Sequence, residues 1–267
     1  MSAPLRLTLD AVGWKFIPVL DRGKNVRDYA SRTQSKLSPG TLVSNHVTGR
    51  RFWVKTFLGV GGFGAAYRVS EVAGTANSQN PEYCLKITGE PTGWDREAYF
   101  GDLLKGIARV IQVYEAFAWV PNRRDRKPLY CLITELAHGG DLASWLERNR
   151  QPWRESEARR EMISLLRVVA KLHEHAVHRD ITPPNIFVMS DQTLKLGDFG
   201  IAAHPFGKRP VRADAFAPWL APPAIADGEI LIWEQADDVY PFGQLFAMLL
   251  SGSAKTRFTR RDVKKLS

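Results

Sequence analysis

The chain has 267 residues, with 37 Lys and Arg against 28 Asp and Glu for a formal charge of +9, and 44% of it is hydrophobic. These values suit a globular protein with a buried core and argue against disorder. The apolar run at 245–250 is far shorter than the roughly 20 residues needed to cross a bilayer, and residues 1–10 lack a basic segment followed by an apolar core. A soluble, cytoplasmic protein with no membrane partner is expected. Cys84 and Cys131 are too few for a disulfide framework and lie in apolar runs, as buried thiols do. Basic excess gathers at 123–127, 208–212 and 255–265, but no aromatic-interleaved basic motif accompanies it, so it reads as solvated surface and nucleic acid is not an expected partner.

In chain order, polarity alternates over 51–58, a glycine cluster follows, and 65–72, 83–88, 116–120 and 129–136 read as further short strands. One helix, 95–104, interrupts them. The second half changes character. Ala158, Met162, Leu165, Leu166, Val169 and Leu172 recur at spacings of three and four, which predicts a long amphipathic helix over 155–175. Two short strands, 186–189 and 194–196, flank a turn, and a second apolar helix runs over about 238–250. A small β-rich lobe thus precedes a larger α-rich one, with His138-Gly139-Gly140-Asp141 as the hinge border.

Gly59-Val60-Gly61-Gly62-Phe63-Gly64 matches G-x-G-x-x-G. In dinucleotide-binding folds such glycines lead from a strand into a helix; here they lead into another strand, which suits a flap whose bare backbone N–H groups approach a polyphosphate. Lys86 stands in the next strand. A lysine in an apolar strand needs a partner, and Glu97, the first glutamate on the following helix, is the choice over Glu90. His178-Arg179-Asp180-Ile181-Thr182-Pro183-Pro184-Asn185, followed after a hairpin by Asp198-Phe199-Gly200, is far more specific.

With these motifs in this order, the chain resembles the protein kinase superfamily, and Ser38-Pro39-Gly40-Thr41 is similar to the lead-in of eukaryotic-type bacterial Ser/Thr kinases. The resemblance covers roughly 41–252. It implies an α+β, bilobal protein-kinase-like fold with a β-rich N-lobe at 38–137, an α-rich C-lobe at 138–267 and an extension of unknown role at 1–37. It further implies ATP- and magnesium-dependent phosphoryl transfer to Ser or Thr hydroxyls of an unidentified protein substrate. By the same resemblance, Asp180 accepts the substrate proton, and Lys86 and Glu97 form the phosphate-holding pair. Asn185 and Asp198 hold Mg2+, and Gly59, Gly61, Gly62, Phe63 and Gly64 cover the phosphates. Ala66 and Cys84 above and Phe187 below enclose the purine. Thr134 is the gatekeeper, and the backbone of Glu135 and Ala137 reads the adenine edge. Asp238 resembles the aspartate that braces the catalytic loop.

Four departures bear on function. Thr182 replaces a lysine that touches the transferring phosphate, a loss on the order of 10- to 1000-fold in rate for one electrostatic stabiliser. Residues 198–222 contain no Ser, Thr or Tyr, so Arg179 needs some anion other than a phosphate on that segment. Ala221-Pro222-Pro223 lacks the glutamate of the family's A-P-E motif. Gly101 stands one turn beyond Glu97, where a large apolar residue is usual, so this helix is expected to be poorly anchored. The family continues past the helix at 238–250 with covering helices, so the resemblance implies a truncated C-lobe whose bare apolar helix calls for a partner or self-association. Two alternatives stay open: a pseudokinase that binds ATP and acts as an interaction module, and a small-molecule phosphotransferase.

Overall fold

In the first half, alternation of side chains builds six antiparallel strands, seen in a computed structural model that describes residues 37–61, 64–72, 80–121, 127–204, 211–213, 215–217, 220–254, 258–259 and 262. The strands are β1 (Leu42–Ser44), β2 (Arg51–Gly61), β3 (Gly64–Glu71), β4 (Glu82–Thr88), β5 (Val113–Trp119) and β6 (Leu129–Thr134), in the order β1-β2-β3-β4-β6-β5. Ala65, Tyr67 and Val69 of β3 and Leu85 and Ile87 of β4 pack with Phe52, Val54, Cys131 and Ile133 into one core. The period of two then sends Ala66, Cys84 and Lys86 to the opposite face. Register completes that face: Ala66 pairs with Lys86, Lys86 with Leu132 and Cys84 with Thr134. The β2–β3 hairpin requires glycine at Gly64, where φ is +130° and a Cβ would lie 2.2 Å from the Ile87 carbonyl oxygen.

Helix α1 (Trp94–Leu103) packs against β5 and β6. The sequence reading expects it to be loose, and the structure corrects this. Trp94 Nε1 donates to the Cys131 carbonyl at 3.0 Å. Phe100, three residues after Glu97, is buried and meets the Phe199 ring at 6.2 Å between centroids. Gly101 is a point of close approach, since a Cβ there would sit 2.4 Å from Val113 Cγ2. The anchor has moved one residue earlier, to Phe100, and the strand fills the space that Gly101 leaves.

The second lobe contains β7 (Gly140–Asp141), α2 (Leu142–Asn149), α3 (Glu155–Leu172), a 3-10 turn at Pro183–Asn185, β8 (Ile186–Val188), β9 (Leu194–Leu196), β10 (Val211–Arg212), α4 (Pro223–Ala226), β11 (Ile232–Trp233) and α5 (Gln235–Ser251). β7-β8-β9 form one small sheet and β10-β11 another. α2 lies outside the elements expected from sequence. It starts where Asp141 accepts the Ser144 amide at 2.8 Å, and it buries Leu142 and Leu146.

Leu165, Val169 and Leu172 of α3 share a core with Phe242, Leu245, Met248 and Leu249 of α5. The bare α5 face expected from sequence is therefore small among the described residues: Val239 is 46% exposed, while Phe246 and Leu250 are partly buried against the core. Phe258 returns over the helix, donating its amide to Gln244 Oε1 at 2.7 Å and accepting from Gln244 Nε2 at 3.2 Å. No described helix is long and apolar enough to cross a membrane.

Candidate active site

Lys86 is held from both lobes. Its Nζ lies 2.6 Å from Glu97 Oε2 on α1 and 3.0 Å from Asp198 Oδ2 beyond β9. Burial opposes the ammonium charge, but Asp198 and then Glu97 outweigh it and hold the amine above its ordinary range. Burial pushes the Glu97 carboxyl upward, with Lys86 pulling it back and Asp198 adding to the rise. Glu90, the weaker sequence candidate, is exposed.

The catalytic-loop motif places Asp180 beside Asn185, whose Nδ2 donates to the Asp180 carbonyl at 2.9 Å and to its Oδ2 at 2.7 Å. Burial and the nearby Asp198 push the Asp180 carboxyl up to about 6, against the pull of Asn185 and Lys86. With its amide nitrogen spent on Asp180, the side-chain oxygen of Asn185 remains as an acceptor. Asp198 and Arg179 both sit at positive φ, 59° and 69°, backbone strain of the kind that a well-packed site sustains. Phe199 is buried, with the His178 ring 4.9 Å away on one side and Phe100 on the other. Burial lowers the His178 pKa and so favours its neutral ring.

Around the expected purine site, Ala66 and Cys84 share the cleft face of the sheet, Thr134 stands directly across from Cys84, and Phe187 lies on β8. Burial pushes the Cys84 thiol up to about 11, so it is a neutral wall group. The Glu135 amide is committed to the Gln112 carbonyl at 2.9 Å, and the Ala137 carbonyl accepts from Gly140. Gly59 and Gly61 belong to β2, and a Cβ at either would meet only open space. Gly62 and Phe63 lie outside the described residues.

Asp238 is fully buried and accepts from the amides of His178 at 2.7 Å and Arg179 at 2.9 Å. Two further partners were not anticipated from sequence: Trp233 Nε1 at 3.1 Å and His173 Nε2 at 3.0 Å. Also new is Lys195, whose Nζ meets both Glu135 carboxylate oxygens at 2.6 and 2.8 Å and so joins the end of β6 to β9. The His173 and Lys195 partners come together only through the packing of distant elements, and although Trp233 is five residues from Asp238, that spacing does not mark it as a partner.

A β-rich lobe whose lysine pairs with a helix glutamate, closed over a loop that presents Asp180 and Asn185, defines a bilobal kinase-like catalytic core. The chain belongs to the family described as "Protein kinase domain", which matches residues 52–265. Similar proteins include mouse (Mus musculus) mitogen-activated protein kinase kinase kinase 10, 29% identical over 226 residues that make up 76% of this chain and 22% of that protein. The putative CBL-interacting protein kinase 13 of Oryza sativa subsp. japonica is 29% identical over 215 residues, 76% of this chain and 39% of the relative. The serine/threonine-protein kinase PLK4 of Xenopus laevis is 28% identical over 155 residues, 57% of this chain and 16% of the relative. The chain thus spans well under half the length of these curated relatives.

Proposed function

We propose that this chain catalyses transfer of the ATP γ-phosphoryl group to Ser or Thr hydroxyls of protein substrates, with magnesium. The observation that carries the reading is Lys86 Nζ bonded at once to Glu97 and Asp198, which joins the sheet, α1 and the second lobe at one cation. The donor set fits magnesium. Asn185 and Asp198 offer oxygen only, and a hard cation that keeps substrate phosphates and water as its other ligands needs no more from the protein. When bound, magnesium supplies charge neutralisation of the triphosphate.

The chain's own residues would do the rest. Lys86 steadies the α and β phosphates, with Glu97 fixing its position. The Glu135 carbonyl and the Ala137 amide read the adenine edge between Ala66, Cys84 and Phe187, and the Gly59–Gly61 strand end covers the phosphates. Asp180 orients the acceptor hydroxyl and takes its proton; a carboxyl raised toward neutrality is a better base than an ordinary aspartate. In-line positioning supplies most of the acceleration in such a transfer. The lead-in Ser38-Pro39-Gly40-Thr41 favours the eukaryotic-type bacterial branch of the family.

Thr182 favours a second reading, an ATP-binding module without turnover, because it is buried where the family offers a lysine to the phosphate. Exposed Ile230, Leu231, Ile232 and Val239 offer a surface that a partner or a second copy would cover. Incubation with radiolabelled ATP, magnesium and a Ser/Thr peptide library, beside an Asp180→Ala control, tests the proposal. Label transfer that the control lacks supports it. Nucleotide binding without transfer selects the second reading.

A further inference from the structure

Residues 198–222 carry no hydroxyl that a kinase could phosphorylate. Yet the described parts of this segment are tied to the catalytic loop and to α1 by contacts that need no added charge. We propose that this chain holds the described parts of the segment, 198–204 and 211–213, in their working position without phosphorylation, through the Arg179 guanidinium and through His204 and Trp233 as positioning residues. The inference rests on the kinase reading of the same site.

Arg179 is buried next to Asp180. Its Nε and Nη2 donate to the Ile201 carbonyl at 2.8 and 2.6 Å, and its Nη1 donates to the Arg212 carbonyl at 3.0 Å. One side chain therefore gathers the start and a later part of the segment. A phosphate would offer such a guanidinium more charge, but only while it is attached. Main-chain carbonyls are always present, so the clasp has no off state set by a phosphatase. Beside it, Val177 and Ala203 exchange amide-to-carbonyl bonds of 2.9 Å in both directions.

His204 carries the tie to α1. Its Nδ1 lies 2.7 Å from the His175 carbonyl, so that nitrogen bears the proton and donates. The ring stacks on Phe100 at 5.1 Å and 29°, and meets Tyr99 edge-on at 5.3 Å. Phe100 lies three residues after Glu97 on the same helix, so the stack constrains the carboxylate that grips Lys86. At the far end, β10 pairs with β11, the Ala213 amide donates to the Leu231 carbonyl at 2.9 Å, and Trp233 Nε1 reaches Asp238, which also receives the His178 and Arg179 amides. One buried carboxylate therefore holds both the catalytic loop and β11, the strand that pairs with the segment.

The test compares the full chain after exhaustive phosphatase treatment, verified by mass, with the same chain after incubation with ATP and an unrelated active kinase. Amide hydrogen exchange at Ala203 and Ala213 and turnover of ATP are read in both. Slow exchange at both amides in the dephosphorylated chain, with turnover within about twofold of the treated form, is expected. Fast exchange that slows only after phosphorylation overturns the proposal. If neither form turns over ATP, the kinase reading fails, and exchange still decides this inference. His204→Ala should lower kcat about tenfold with KM for ATP little changed, the size expected of a displaced catalytic group, and His204→Phe, which keeps the stack, should recover most of it. Equal loss in the two variants would remove His204 from the account. Trp233→Phe should speed exchange at Ala213 and lower kcat, and unchanged exchange would remove Trp233 likewise.

Discussion

Lys86 and Asp198 touch each other across the cleft, so each variant removes both its own role and the other's partner. Lys86→Ala and Asp198→Ala should each weaken magnesium-ATP binding or turnover by at least about tenfold, read by fluorescent-nucleotide titration and by phosphate transfer. Parent-like behaviour of both would show that the cleft lies elsewhere. Asp180 gives a pH test. Its carboxyl rises from 3.8 to about 6 in the fold, so the folded chain prefers it protonated. That preference contributes stability that is fully present below pH 3.8 and lost as pH rises through about 6. Asp180→Asn should therefore melt higher than the parent at pH 7, by up to about 3 kcal/mol, and match it near pH 4. Turnover of the parent should fall as pH drops through about 6, because a protonated Asp180 cannot accept the substrate proton. A rate that is flat from pH 5 to 8 would count against Asp180 as the base.

α1 and α2 show at the scale of elements how far local pattern reaches. The sequence marks α1 and its Glu97, but the usual anchor position holds Gly101, and nothing local reveals that Phe100 takes the role or that Val113 fills the vacant space. Gly101→Val should drive side-chain atoms into Val113, cost about 1–3 kcal/mol in chemical denaturation, and shift Glu97 enough to lower turnover. A variant as stable and as active as the parent would show that α1 tolerates movement. α2 does have a signal, an Asp141 cap before Leu142 and Leu146 at a spacing of four, but eight residues beside a Gly-Gly pair read first as a hinge. Between α3 and β9, Glu161 is fully buried and receives Arg109 Nη1 at 2.5 Å and the Leu194 amide at 3.0 Å. Arg109→Met would leave that carboxylate with only Arg160 Nε at 3.2 Å and the Leu194 amide, and a loss of about 1.5–3 kcal/mol in urea unfolding is expected. A loss below about 1 kcal/mol would mean that water replaces the guanidinium.

Across the molecule, the lobes meet through charge as well as packing. Lys86 bridges to Asp198, and Glu135 bridges to Lys195, so the end of β6 is fixed to β9. Phe100 of α1 and Leu104 just beyond its end belong to the core of the second lobe, which makes that helix a shared part. Consecutive exposed apolar residues stand at Ile230, Leu231 and Ile232, as they do at Phe57 and Leu58 on β2. Sedimentation velocity at micromolar concentration should show association that Leu231→Glu reduces, because a charge at the centre of such a patch opposes burial. A parent chain that is monomeric up to about 100 μM, well above the affinity of a specific dimer, would leave the patch without a second copy as its occupant.

What the sequence determined by itself is the set of motif residues and their order along the chain. The glycine loop, Lys86, Asp180, Asn185 and Asp198 carry motif spacings set by turns and strands a few residues long, and the alternation in β3 and β4 already places Lys86 opposite the core. Local geometry suffices for these because a period of two or a tight turn is fixed within the segment itself. Tertiary structure alone decided which groups complete the site. Arg179 finds the carbonyls of Ile201 and Arg212, His204 finds Phe100 and Lys195 finds Glu135. Main-chain carbonyls are present at every residue, and stacking partners carry no fixed spacing. Only packing within and between the lobes, which sets where distant segments meet, selects which of them is used.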